Sequence, residues 1–305
     1  MYKQIDSNKR NSVILIIVFF LVLGGLGYVF DLFYGSGQGY FPYVGVIIAI
    51  VFSLVMTSVS YFSGDKIALK SSGAKEIKQA DNPYVYRMVE NMAITAGIKT
   101  PRVYIIEDSS INAFATGRKP ELSSIAVTTG AIEKLENEEL EGVIAHEMSH
   151  VKNYDIRFMM LVAVLVGSIA ILSDMFLRIS FFGGGKSSDK KSGHPAMIII
   201  GLVFVILSPI IANLVKLAIS RKREYLADAS GSLLTRYPEG LARALEKIGR
   251  ENQPMKKKSK ATAHLFIANP FQGKFSTTLK PSGKVKHLFS THPPLADRVR
   301  KLREM

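Results

Sequence analysis

Four long stretches of this chain carry no charge, and that segregation limits what it can fold into more than any other feature. The uncharged runs cover residues 11–30, 32–64, 158–173 and 192–215. A helix rises ~1.5 Å per residue and needs roughly 20 apolar residues to cross a hydrocarbon layer of ~30 Å. Membrane spans are therefore expected at about 13–30 and 43–62. A second pair is expected at about 158–177 and 196–217, the last carrying Pro209, which a membrane helix accommodates as a kink. The first run fits an anchor better than a cleaved leader, because its apolar stretch is long and no small-residue cleavage pattern follows it.

Lys and Arg near the spans set the orientation. Lys3, Lys9 and Arg10 precede the first span, none lies between the first two, and Lys66, Lys70, Lys75 and Lys78 follow the second. Both ends of that hairpin read as cytoplasmic. Lys216, Arg221, Lys222 and Arg223 after the fourth span agree, whereas Arg178, Lys186, Lys190 and Lys191 between the third and fourth do not. A shallow second hairpin that does not fully cross removes the conflict.

The chain divides accordingly into an N-terminal membrane hairpin (1–63), a first polar part (64–157), a second hairpin (158–217) and a second polar part (218–305). The first polar part reads as a helix around Tyr84–Ala96, a strand Arg102–Ile106, an extended stretch Ile111–Thr116, a strand Ser124–Thr128 and a helix that Asn137 caps. Met255–Lys286, rich in Lys, Gly and Pro, reads as a long mobile loop. With no cysteine in 305 residues, thiolate metal sites and thiol nucleophiles are excluded, and metal chemistry falls to His, Asp and Glu.

The helix after Asn137 contains His146-Glu147-Met148-Ser149-His150, an H-E-x-x-H sequence. Residues four apart share a helical face, so both imidazoles can meet one metal while Glu147 reaches a water on it. A tetrahedral catalytic site needs one more ligand, and Asn153 and Ile156 stand where a downstream glycine and third histidine would continue the motif. Glu224 and Asp228, four apart in Arg221–Asp228, offer a carboxylate ligand and an acceptor for a ligand imidazole's other nitrogen. Glu and Asp at that spacing are also a common solvated pair. Their position favours the site: His150 precedes the third hydrophobic segment and Glu224 follows the fourth by similar short distances, so a hairpin between them returns both to one membrane face.

Two N-terminal spans, His146–His150, a hydrophobic hairpin, Ser220–Asp228 and the late Thr291-His292-Pro293-Pro294-Leu295-Ala296-Asp297-Arg298 together resemble the HtpX-type integral membrane zinc metalloproteases, relatives of the CAAX prenyl proteases. The resemblance runs over nearly the whole chain and is weakest in the loop before Lys286. It implies an α+β membrane protein: a mainly helical zincin-like protease domain with a small sheet, plus four hydrophobic helices in two hairpins. It further implies one Zn2+ per chain held by His146, His150 and Glu224, with Glu147 as general base and Asp228 behind a ligand. His292 is implied near the active site as a catalytic oxyanion donor, and Asn112-Ala113-Phe114 as part of a substrate-binding edge strand.

The implied activity is endopeptidase cleavage of misfolded or damaged membrane proteins, a stress-response role. The enzyme would sit as a multi-pass protein in the cytoplasmic (inner) membrane, its active site facing the cytoplasm and its partners the bilayer and polypeptide substrates. The alternative is a catalytically inactive zinc-binding membrane scaffold, against which the presence of Glu147 argues. Nearly all of the net charge of +14 lies after residue 216, beginning at a membrane exit, which fits an anionic leaflet better than nucleic acid.

Overall fold

The computed structural model describes residues 2–34, 41–182, 220–251, 253–259, 261–271 and 293–305. Two long helices, α1 (Tyr2–Tyr34) and α2 (Val44–Ser72), form an antiparallel hairpin. Both are long and apolar enough to span, over Ile5–Leu32 and Val44–Ser72, with mean hydropathies of 2.9 and 2.2. Their outer faces leave Leu21, Ile48, Leu54 and Phe62 bare, Leu21 at 70% exposure. A core helix of a soluble protein would bury these side chains, so the bare belt is a surface for lipid.

The hairpin is closed by two small residues and one acid. A Cβ on Gly45 would stand 2.6 Å from the Gly27 carbonyl oxygen, so the helices touch backbone to backbone there. Asp31, the one charge between the uncharged runs 11–30 and 32–64, accepts from the Gly45 and Val46 N–H groups at 2.7 and 3.0 Å. Its carboxylate thereby satisfies two of the free donors at the start of α2 and meets the positive end of that helix's dipole.

After α2, Gly73 takes the left-handed conformation that ends the helix and starts β1 (Ala74–Ile77). Then come α3 (Pro83–Ala96), β2 (Arg102–Ile106), β3 (Ala113–Gly117), β4 (Ser123–Thr128), α4 (Thr129–Lys134), α5 (Asn137–Lys152) and α6 (Asp155–Phe182). The four strands lie in the order β1-β2-β4-β3. The β2–β4 pair is parallel and the outer two pairs antiparallel, which leaves β3 on an edge. The second polar part gives α7 (Arg221–Thr235), α8 (Pro238–Glu251) and α9 (Leu295–Arg303).

Helix α5 is the centre of the polar part. Residues Gly142 through Val151 are all buried, with α3, α7, α8 and the sheet packed around them. Its cap differs from expectation: Glu136, not Asn137, is the N-cap. Glu136 and Glu139 form a reciprocal capping box in which the Glu139 carboxylate accepts from the Glu136 N–H at 2.9 Å. Two orphan donors are satisfied that way, whereas Asn137 capping would satisfy one.

The membrane and polar parts share one interior. Leu15, Phe19 and Leu23 of α1 pack on Phe158, Leu161, Val162 and Leu165 of α6, all buried. The expected third hydrophobic segment thus begins as helix on the inner side of the α1–α2 hairpin, while the fourth, 196–217, lies outside the described residues. The stretch expected to be a mobile loop is in part packed: Met255 and Ala263–Ala268 are buried, with Met255, Leu265 and Phe266 beside Tyr104, Phe114 and Met159. Its apolar run Leu265-Phe266-Ile267-Ala268 was masked by the lysines before it.

Replacing Gly45 with Val should force α1 and α2 apart and cost about 1–3 kcal/mol. The chain has no native cysteine, so disulfide formation between cysteines introduced on the facing sides of the two helices measures the separation. Undiminished cross-linking in Gly45→Val would refute the close approach.

Candidate active site

His146 and His150 leave the same face of α5, one turn apart, with ring centroids 4.9 Å apart and planes nearly perpendicular. Opposite them, α7 approaches so closely that a Cβ on Gly231 would stand 3.0 Å from the His146 backbone nitrogen. Glycine permits that contact, and the contact brings Glu224 and Asp228 against the imidazoles. The Glu224 carboxylate lies 3.9 Å from His146 Nε2 and 3.7 Å from His150 Nε2. Ligand atoms of all three residues lie within 4.8 Å of one another.

These separations are too long for hydrogen bonds. They approach the spacing of ligands on a shared ion, since two atoms about 2.1 Å from a tetrahedral metal stand about 3.4 Å apart. The far nitrogens are already committed. His146 Nδ1 lies 3.0 Å from Asp228 Oδ1, and His150 Nδ1 lies 3.0 Å from Asp155 Oδ2. A carboxylate accepts only, so each Nδ1 carries the proton and each Nε2 presents its lone pair inward.

The charge balance points the same way. Among the described residues, four buried carboxylates, of Glu147, Asp155, Glu224 and Asp228, share this interior with two buried guanidiniums, of Arg223 and Arg298. The surplus equals the charge of one divalent cation, and an uncompensated surplus of that size in a dry interior is prohibitive. Without a cation, protons fill the deficit. Burial pushes the Glu147 carboxyl up to about 8. For His150, burial opposes protonation, but the Asp155 hydrogen bond and the surrounding carboxylates raise it to about 9. Burial lowers His146. The donor set, its orientation and its charge all fit a divalent metal.

Glu147 is turned from the His pair toward the sheet, where its Oε2 accepts from the Ala115 N–H on β3 at 2.8 Å. The candidate substrate-binding residues lie just upstream on that strand. There residues 266–268 run antiparallel to β3 as a strap: Phe266 bridges Phe114, their rings 4.7 Å apart, and the Ile267 N–H donates to the Ala113 carbonyl at 3.0 Å. The Asn112 side chain clasps Ala268, donating to its carbonyl at 2.9 Å and accepting its N–H at 3.1 Å. His292 lies outside the described residues.

Two residues that the sequence did not assign to the site prove to be part of it. Arg298, fully buried on α9, grips Asp228 through both oxygens, at 2.9 Å from Nε and 2.6 Å from Nη2, and places Nη1 3.7 Å from Glu224. The bidentate fork fixes the carboxylate that orients His146 and, despite burial, holds Asp228 down to about 2. Asp155 performs the corresponding service for His150. Its signal in the sequence was an acid at the head of a hydrophobic run, where a charge is costly unless it is used.

Residues 79–305 match the model of peptidase family M48. The chain belongs to this family. It is similar along its full length to the protease HtpX homolog of Tropheryma whipplei (strain Twist), 43% identical over 100% of this chain and 98% of that protein. The protease HtpX homolog of Lactobacillus helveticus is 42% identical with both chains wholly covered. The crystal structure of S. mikatae Ste24p superimposes with a TM-score of 0.53 at 18% identity, over 99% of this chain and 67% of that one, a likeness of fold. The family member described here is a membrane metalloprotease, and the His146-His150-Glu224 cluster is a group that could hold its metal. An inactive scaffold is the disfavoured alternative.

Replacing Arg298 with Met should destabilise the polar part by about 3–5 kcal/mol, because Asp228 would remain buried without its partner. Arg298→Met with Asp228→Leu should recover much of that loss in stability while still failing to hold metal. Denaturant unfolding and metal content check both; a double variant no more stable than the single one would refute the pairing.

Proposed function

We propose that this family member is a zinc endopeptidase of the cytoplasmic membrane, with His146, His150 and Glu224 holding one Zn2+ and Glu147 acting as general base. The observation that carries this reading is the convergence of two inward imidazole lone pairs and a carboxylate, beside a second carboxylate that ligates nothing. Zinc held there supplies Lewis acidity to a water and to a scissile carbonyl.

The rest falls to the chain's own groups. The Ala115 N–H fixes one oxygen of Glu147, so the other is free to take the proton of the attacking water. Held there beside the metal ligands, the same carboxylate can take the proton and then return it to the leaving amine. His292, six residues before Arg298 in the chain, is the proposed donor to the negative charge that develops on the substrate carbonyl.

The substrate is a polypeptide in extended form, laid antiparallel to β3 along Asn112, Ala113 and Phe114, where the strap residues 266–268 now lie. The strap must therefore yield at Phe266. Damaged membrane proteins are the proposed substrates, as the family resemblance implies; Asp155, which orients His150, sits at the head of α6, which packs on the membrane hairpin and keeps the site near such substrates. The protease domain is formed by 64–157 and 218–305, with 158–217 a second membrane hairpin inserted between them. Lys3, Lys9 and Arg10 before the first span and Lys66, Lys70, Lys75 and Lys78 after the second support a cytoplasmic active site.

Purified Glu147→Gln should retain its zinc and lose about 10²–10⁴-fold in kcat on an unfolded polypeptide, whereas Glu224→Ala should lose the zinc itself. Turnover by Glu147→Gln at the wild-type rate would sink the mechanism. Phe266→Ala should loosen the strap and lower KM for the same substrate; a raised KM would show that Phe266 serves substrate rather than competes with it.

A further inference from the structure

A residue far from the H-E-x-x-H helix in sequence, linked to His150 through Asp155, lies in the first membrane helix. Asn8 is 2% exposed. Its Nδ2 donates to Asp155 Oδ1 at 2.6 Å and to the Asn153 carbonyl at 2.9 Å. Both partners can only accept, so the amide must present its two N–H bonds there, and both are used. The other oxygen of Asp155 faces His150 Nδ1 at 3.0 Å. Three residues in line thus connect α1 to a metal ligand: Asn8 holds one end of a carboxylate whose other end sets the tautomer and ring angle of His150.

Two further observations tie α1 to the same turn. Tyr154, between α5 and α6, has φ 60°, a left-handed conformation that a bulky side chain adopts only when its surroundings hold it. Lys9 lies over the Tyr154 ring at 4.6 Å, next to the Asn8 bond to Asn153. Asn8 itself is seated by Ser12, whose hydroxyl donates to the Asn8 carbonyl at 2.8 Å. Adjacent residues of the first membrane helix therefore clamp the strained turn in which the H-E-x-x-H helix ends.

We infer that Asn8 is a positioning residue of the metal site, so that the first membrane helix is a component of the metal centre as well as an anchor. Binding of the metal and docking of α1 then favour each other by the same free energy. A protein whose N-terminal helix is undocked would hold its metal weakly and hydrolyse poorly, which ties activity to correct membrane assembly. The inference rests on the reading of His146, His150 and Glu224 as metal ligands.

The test uses the full chain in detergent micelles, loaded with zinc and challenged with a chelator. Asn8→Asp keeps the shape of the side chain but turns its donor into an acceptor, and should speed zinc release about tenfold or more, with a weakened cobalt(II) absorption band when cobalt replaces zinc. Asn8→Ala should release zinc faster than wild type but more slowly than Asn8→Asp. Asn8→Asp combined with Asp155→Asn restores a donor between the two positions and should hold zinc better than Asn8→Asp alone, a rescue that general loosening of α1 would not produce. Zinc release from Asn8→Asp at the wild-type rate, or a double variant worse than the single one, would overturn the inference while leaving the metal reading intact. If wild type released zinc as readily as His146→Ala, the metal reading would fall and this inference with it.

Discussion

Everything in the polar part of this protein is arranged around one requirement: two imidazole lone pairs must point at one spot inside a dry, acid-rich interior. Left alone, such a place would either protonate or swell with water. Asp228 and Asp155 prevent wrong tautomers by occupying the far nitrogens, and Arg298 and Arg223 offset part of the charge. What stays unbalanced among the described residues is the amount a divalent cation supplies. The packing follows the same need, because Gly231 exists at the one point where α7 must press its backbone on α5 to deliver Glu224.

That requirement draws in distant parts of the chain. The candidate ligands come from α5 and α7, the carboxylates that orient the imidazoles from α7 and the head of α6, the guanidinium that fixes Asp228 from α9, near the C-terminus, and the last restraint from α1. Such a site cannot be assembled by any continuous segment. The membrane hairpin contributes apolar cover to α6 through Leu15, Phe19 and Leu23 and, through Asn8, a polar strut. Anchor and enzyme are one cooperative structure at that junction.

Much of this was legible in the sequence because it is periodic. His146 and His150 stand at helical spacing; Arg102–Ile106 reads as a strand and is one; the helix read around Tyr84–Ala96 is α3, Pro83–Ala96. What could not be read was whatever depends on a partner far along the chain. Arg298 sits among Asp297, Arg300, Lys301 and Arg303, and nothing local separates the one guanidinium that is buried from its solvated neighbours. Strand β1, Ala-Lys-Glu-Ile, has two exposed charges at its centre and no alternation to betray it; β2 alone makes it a strand. The strap hid for the opposite reason, its apolar residues diluted by lysines that stay in solvent while Met255 and Phe266 go in.

If substrate pairs with β3 as proposed, the strap there also bears on how such an enzyme tolerates living beside intact proteins. A tethered segment competes for the strand edge at an effective concentration in the millimolar range, whatever the cell contains. An incoming chain must exceed that threshold, which a short loop on a folded neighbour cannot do and a long unravelled segment can. Discrimination between sound and damaged protein then requires no recognition of damage as such, only a contest of lengths for the same few backbone hydrogen bonds.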